Sequence, residues 1–375
     1  MEELQVKKLN VSLVRARNIV EIVTAIAEHE GISRAEIAER ASVSVMTVSN
    51  IMEVLLRNGA VYETEQRTEN VGRNPALVYF SRTKWLMVFD LTGLRFSCSF
   101  MTLELVSFDT LTQEYDENKS YTENFEHFLQ EVRERCRKLR LSEDECLGIS
   151  VCLPAVYNKD TDTTDSFRVP ALFNVPIKGT IRKYFDCEVI ASADAKLAGI
   201  ACNAELKAYA PYSMLYLSID SNVRGALVHE GSVVLGTDGY AGDLGQMVLS
   251  SGERLEARLL RAYGALDAMA KERGCSIEEL WNVAEAAETM EDYVNALASA
   301  LYNTCCVFSP YAIVLDGHCV RFGDRLVRRL IDYIHPRLVP ANRHKPDILV
   351  MSHTVSNAVT GAGIRLREKW IKELN

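Results

Sequence analysis

Three observations predict an α/β protein carrying a small helical head. Short apolar runs (CLGISVCLP, CEVIASAD, MLYLSID, YAIVLDG and PDILVMS) read as buried strands. Amphipathic helices at about 123–140, 194–208, 253–273, 290–308, 322–335 and 355–372 separate or flank them, and strands alternating with helices make an α/β domain whose length argues two lobes. Before residue 82 the pattern is different: three short helices, then a strand pair around a polar tip, the outline of a winged helix-turn-helix.

Composition agrees with that division. The 375 residues are 48% hydrophobic and 25% charged, with 20 Gly and 9 Pro, values that exclude disordered, collagen-like and fibrous chains. Residues 1–85 hold 11 Lys/Arg and 11 Asp/Glu, so the remaining 290 carry 31 against 40 and the whole net charge of −9. Any contact with DNA must therefore come from a local patch, because the acidic remainder repels phosphate. No 18-residue apolar run occurs and the start, MEELQVKKLNVSLVRARN, is polar, so a membrane span and a signal peptide are not expected and the expected location is cytoplasmic. Ten cysteines without a Cys-x-x-Cys pair read as reduced thiols, not as a disulfide frame or a zinc site.

In the head, Ile19, Ile22, Val23 and Ile26 recur at helical spacing. Ser33 and Glu36 form a capping box for a short second helix through Arg40, and Ser44 caps a third from Val45 to about Arg57, stopped by Asn58-Gly59. Ile37, Ala38, Ala41, Val43, Val48 and Ile51 face inward, with small Ala38 at the crossing. The outward positions Val45, Met46, Thr47, Ser49 and Asn50 are small or hydrogen-bonding and suit base edges, Arg57, Arg67 and Arg73 reach for phosphates or the minor groove, and the cap Ser44 belongs to the same DNA-binding set. A three-helix docking module is the alternative, in which Thr47, Ser49 and Asn50 are ordinary solvated positions.

Residues 60–63 and 76–80 alternate as the two strands of the wing, and WLMVFDLTGLRFSCSFMTLELVSF reads as a hairpin bent at Thr92-Gly93. Four strand ends carry polar or glycine residues: Asp90-Leu91-Thr92-Gly93, Asp194, Asp220-Ser221-Asn222 and Asp316-Gly317. Ligands of such folds sit beyond the carboxyl ends of the strands, and carboxylates with Gly-rich turns such as GTDGYAGDLGQ suit a sugar or nucleotide. Each Asp also has a bland reading as turn former or helix N-cap.

Taken in this order, the segments resemble the ROK family of repressors, open reading frames and sugar kinases, in particular its xylose-type and N-acetylglucosamine-type repressors. NIVEIVTAIAEHEGISRAEIAERASVSVMTVSNIMEVLLRNGAVYE with VGRNPALVYF is similar to their DNA-binding head, DLTG to a worn phosphate loop, SADAKLAG to the turn holding the kinase base, and GALVHEGSVVLGTDGYAGDLGQMVL to the long family signature. The resemblance implies a two-lobed, actin-like and sugar-kinase-like (ribonuclease H-like) domain of the ATPase type over 81–375, behind a winged helix-turn-helix over 1–80. Its lobes would cover about 85–195 plus the C-terminal helix, and about 196–355. It also implies sugar contacts at Asp194, Asp243, Gln246 and Glu256, with Asn174 and Asn158 as weaker candidates.

The departures from the family pattern set the expected function. Asp220-Ser221-Asn222 stands where the resemblance implies a Gly-Thr-Gly phosphate cradle, and an Asp there repels a γ-phosphate. Gln246 and Asp243 replace the expected His and Glu, and the Cys-rich zinc loop is missing, so neither a structural metal nor a catalytic residue nor a cofactor is expected. The resulting expectation is a sugar-responsive DNA-binding regulator, not an enzyme, whose partners are a double-stranded DNA operator, a sugar or sugar derivative, and a second copy, as a homodimer or dimer of dimers. The rival is a sugar kinase carrying a DNA-binding head.

Overall fold

The computed structural model describes residues 2–29, 31–65, 76–93, 95–164, 170–351 and 356–374. Contacts divide the chain into two compact units, Met1–Cys152 with Val175–Ala191 and Ala362–Asn375, and Leu153–Asn174 with Ser192–Gly361. The head thus groups with the first α/β sheet, and the strip 153–174, inside the expected first lobe, groups with the second unit.

The head comprises α1 (Glu2–Ala27), β1 (Ile32–Ser33), α2 (Arg34–Arg40), α3 (Val45–Arg57), β2 (Val61–Glu65) and β3 (Ala76–Phe80). The Ser33 hydroxyl accepts the Glu36 N–H while the Glu36 carboxylate takes the Ser33 N–H, the reciprocal box expected from the sequence. Ser44 caps α3 by accepting the Thr47 N–H at 3.1 Å. Between the helices Ser42 takes φ +52°, which sharpens the turn. Ile37, Ala38, Ala41, Val48 and Ile51 are buried as expected, together with Met52 and Leu55. Val43 is only half-buried. Antiparallel β3 lies between β1 and β2, and Arg34 grips Glu63 with two bonds of 2.7 and 3.0 Å, tying α2 to β2.

The first unit continues through β4 (Trp85–Asp90), β5 (Arg95–Thr102), β6 (Ser107–Glu114), α4 (Tyr121–Lys138) and β7 (Cys146–Leu153). After β8 (Tyr157–Asn158) and β9 (Thr163–Thr164), a small hairpin, come α5 (Ile177–Arg182) and β10 (Val189–Ala193). The sheet order is β10-β7-β4-β5-β6. Parallel neighbours β4 and β7 are almost wholly buried, which is why they read as unbroken apolar runs.

The second unit has α6 (Asp194–Glu205), β11 (Ser213–Ile219), β12 (Val223–His229), β13 (Ser232–Val234), α7 (Leu255–Arg273), α8 (Ala287–Phe308), β14 (Ala312–Gly317), α9 (Asp324–Ile334), β15 (Asp347–Val350) and the start of α10 (Ser356–Glu373). Its sheet order, β13-β12-β11-β14-β15, repeats that of the first sheet: an antiparallel meander of three strands with two further strands beside the first. Successive β11 residues serve opposite faces. Leu215, Leu217 and Ile219 join the core under α7, α8 and α9, and Met214 and Tyr216 join the one under α6. No described helix is long and apolar enough to cross a membrane.

Candidate functional site

Within the second unit, the carboxyl ends of β11 and β14, the start of β12 and the start of α6 bring the candidate polar residues together. Asp194 is the first helical residue of α6, not its cap, which is Ala193. Its Oδ1 accepts the Ala195 N–H at 2.7 Å, and its Oδ2 is held by Arg224 Nη1 from β12. Arg224 Nε is buried with no hydrogen-bond partner among the described residues, so the guanidinium is incompletely satisfied where it lies.

Beside this pair is a cavity of about 40 Å³, lined by Ala155, Lys196, Arg224, Gly225, Tyr240 and Asp243 among others. That is room for about one water, whose share of liquid volume is ~30 Å³. Arg224 forms part of the wall, so its ion pair with Asp194 borders the pocket. Lys196 is 4% exposed and donates from Nζ to Gly225 O at 2.9 Å and to Ala241 O. Burial pushes its ammonium down to about 8, opposed by the Asp243 charge. The lysine thereby pins the loop carrying Asp243 against β12. Gly225 permits the close approach, since a Cβ there would lie 2.7 Å from Gly242 O and 2.8 Å from Tyr216 O.

Of the sugar-contact candidates, Asp243 lines this cavity and Asp194 holds its arginine wall. Glu256, in the first turn of α7, accepts the Val223 N–H at 2.8 Å and so braces the residue before Arg224. Gln246 ends the short 3-10 turn that Asp243 begins, and its N–H reaches Asp243 O at 3.2 Å. Asn174 and Asn158 do not line the cavity: Asn174 is exposed at φ +59°, and Asn158 Oδ1 closes a turn by accepting the Asp160 and Thr161 N–H groups. Lys196, which also lines the cavity, was not among the sequence candidates.

The other strand-end carboxylates have different duties. Asp316 is buried and accepts both the Tyr216 hydroxyl and the Gly317 N–H at 2.6 Å, the turn-forming reading. Asp90 accepts the Thr92 N–H and hydroxyl in the same manner. Asp220 follows β11, and its carboxylate sits over Gly317, where a Cβ would lie 2.7 Å from Oδ1. Burial first, then the charge of Asp316, raises its pKa above the ordinary carboxylate value. The Asp220 carboxylate thus lies against the 317–318 turn.

On the head, Val45 and Met46, neighbours at the start of α3, are 54% and 71% exposed. Ser44, Asn50 and Arg57 are exposed with them, and Thr47 and Ser49 are half-buried. These residues occupy the solvent side of α3, opposite Val48, Ile51, Met52 and Leu55. Arg67 and Arg73 lie outside the described residues.

Comparison with known proteins gives consistent matches. The description "ROK family" matches residues 102–369. A putative xylose repressor of Caldicellulosiruptor sp. (strain Rt8B.4) is 22% identical over 373 residues, covering 89% of this chain and 91% of the relative. Among solved structures, a ROK family transcriptional regulator described as a homolog of the E. coli MLC protein superposes with a TM-score of 0.73 at 15% identity, over 96% of this chain and 98% of its own. A ROK hexokinase from Thermus thermophilus superposes at 0.59 with 18% identity, over 75% of this chain and 97% of its own.

Proposed function

The chain belongs to the ROK family, and from that premise we propose that it is a sugar-responsive transcriptional repressor whose head reads operator DNA and whose second unit senses the sugar without phosphorylating it. The observation that carries this is the extent of the likeness to a repressor, about nine-tenths of both chains, a share too large to leave out the head. The hexokinase match, by contrast, takes in three quarters of the chain.

In this reading residues 1–80 are a winged helix-turn-helix, and α3 enters the major groove with Val45, Met46, Thr47, Ser49 and Asn50 toward base edges while Ser44, Arg57 and Arg73 engage the backbone. Two copies bind a palindromic site, since one recognition helix spans only a short half-site. The sugar enters beside Asp194 and Asp243 by displacing Arg224 from the Asp194 carboxylate, whose oxygen then accepts a sugar hydroxyl. Arg224 leaves readily because its Nε lacks a partner in the closed arrangement. Glu256, bonded to Val223, carries the displacement of the β12 start into α7, and the population shifts toward a state with weaker operator affinity.

Phosphoryl transfer is unsupported for a physical reason. It depends almost wholly on positioned donors and on neutralising the charge of the phosphates, and Asp220 sets a carboxylate against the 317–318 turn, where it adds a like charge. A thermal-shift screen of free sugars and sugar phosphates tests the sensor reading. A ligand at 100 times its dissociation constant adds about 2.7 kcal/mol of stability, and the same ligand should release the protein from its own promoter DNA. A sugar that stabilises the protein while leaving DNA binding untouched would contradict the reading.

A further inference from the structure

The first unit holds a second and larger cavity that the sugar site does not use. Its volume is about 630 Å³, inside the range of small-molecule sites, roughly 300–1,000 Å³. One wall comes from the head, at the end of α1 and on the β2–β3 pair; the other comes from Trp85 and the β5–β6 turn. Its surface is unusually aromatic: Tyr62 and Tyr79 stack with centroids 5.4 Å apart, and Phe80, Trp85 and Phe108 complete the lining. At the rim, Phe108 and Val106 are 45% and 62% exposed. Aromatic rings lining a hollow of this size suit a planar aromatic guest.

The polar groups indicate the guest's charge. Two lining residues, His29 and Thr102, have polar atoms (Nε2 and Oγ1) that are buried with no partner among the described residues, a state that costs stability until an occupant supplies one. Arg82 lines the cavity and makes no ion pair among the described residues, while Lys84 holds Glu145 at 2.6 Å. Behind Phe80 lies Arg367 of α10, 6% exposed and 5.9 Å from the ring centroid, with Nε lacking a partner among the described residues. Burial pushes its guanidinium down to about 10. Among the lining residues Arg82 and Lys84 outnumber Glu104, so the surroundings favour an anion.

We propose that this cavity is a second ligand site, distinct from the sugar site, which takes a planar aromatic carboxylate between the head and the first sheet. The rings sandwich the aromatic plane, and the carboxylate accepts from Thr102, His29 and Arg82. Since the two walls belong to the head and to the first sheet, an occupant fixes one against the other and so acts on operator binding. That last step rests on the DNA-binding reading; occupancy of the cavity does not.

Calorimetry on the full chain tests occupancy directly, with 2-naphthoate as probe and neutral 2-naphthamide as its comparison. The expected result is one saturable site for naphthoate, unaffected by xylose, with the amide about tenfold weaker or worse and Thr102→Val, Arg82→Ala and Phe108→Ala each weakening naphthoate by about three- to tenfold. Arg82 and Phe108 are exposed enough for their variants to fold even if Thr102→Val does not. Absence of saturable naphthoate binding overturns the proposal. So does equal affinity for the amide, or an affinity unchanged in every folded variant. Failure of operator binding, with naphthoate still bound, would remove the coupling step and leave the site standing.

Discussion

Arg224 and Asp194 should affect sugar affinity in opposite directions, although they form one ion pair. The Asp194 and Arg224 side chains are 12% and 21% exposed, so the pair lies between an exposed bridge, worth at most ~1 kcal/mol, and a buried one, whose breakage costs ~3–5. A coupling of about 1–2 kcal/mol follows from that intermediate burial. If the sugar must displace Arg224, Arg224→Met abolishes that competition and tightens binding by about 5- to 30-fold, the equivalent of 1–2 kcal/mol. Asp194→Asn keeps an acceptor for the Ala195 N–H but loses the charge, and a charge-assisted hydrogen bond of ~1.5–3 kcal/mol is lost to the sugar, about 10- to 100-fold in affinity. Calorimetry with the stabilising sugar reads both. Variants that weaken binding together would mean that Arg224 is a sugar ligand and not the plug, and no change in either would place the sugar elsewhere.

The buried lysine gives a pH signature. Its folded pKa of about 8 lies below the ordinary 10.5, so between those values the unfolded chain keeps a proton the folded chain has released, and this group's contribution to stability rises with pH across that window by about 2–3 kcal/mol and is flat below it. Urea unfolding of the parent and Lys196→Met at about pH 7.5 and about pH 10 should show the difference moving toward the parent by that amount, and a constant difference would contradict it. Ser44→Ala removes the α3 cap and should cost about 1 kcal/mol in the head's unfolding, together with operator affinity. Asn50→Ala should relax sequence preference, whereas Arg57→Ala should weaken all sequences and lower the salt slope by about 1; identical footprints for both variants and parent would count against α3 as the reading helix.

The parts of the fold visible in the sequence are those whose cause is local. Ser33-Glu36 and Ser44 declare helix starts through their own hydrogen bonds, and β4, β7, β11 and β14 declare themselves because strands covered on both faces are continuously apolar. Strand β12 escaped notice because Arg224 and Gly225 interrupt its alternation, and both are there for nonlocal reasons: Arg224 reaches Asp194 and Gly225 admits the loop at Gly242. Strand β6 is an exposed polar edge, SFDTLTQE, with little apolar signal to read. Asp194 was visible as a polar strand end and Asp243 within the Gly-rich turn GTDGYAGDLGQ and through the family resemblance, but the bonds of Asp194 to Arg224 and of Lys196 to the loop of Asp243 depend on partners 30 and 45 residues away in the chain. The one local clue to Lys196 was a lysine inside a helix with nine buried positions of twelve.

The most direct test of a sensor built on a kinase-like frame is a single incubation of the purified protein with its promoter DNA, ATP, magnesium and the stabilising sugar, reading DNA anisotropy and sugar phosphate together. Sugar alone should release the DNA, ATP should change neither the release nor its midpoint, and no sugar phosphate should accumulate. Sugar phosphate formed in proportion to protein, and lost in Asp194→Asn, would make the protein a kinase and contradict the account.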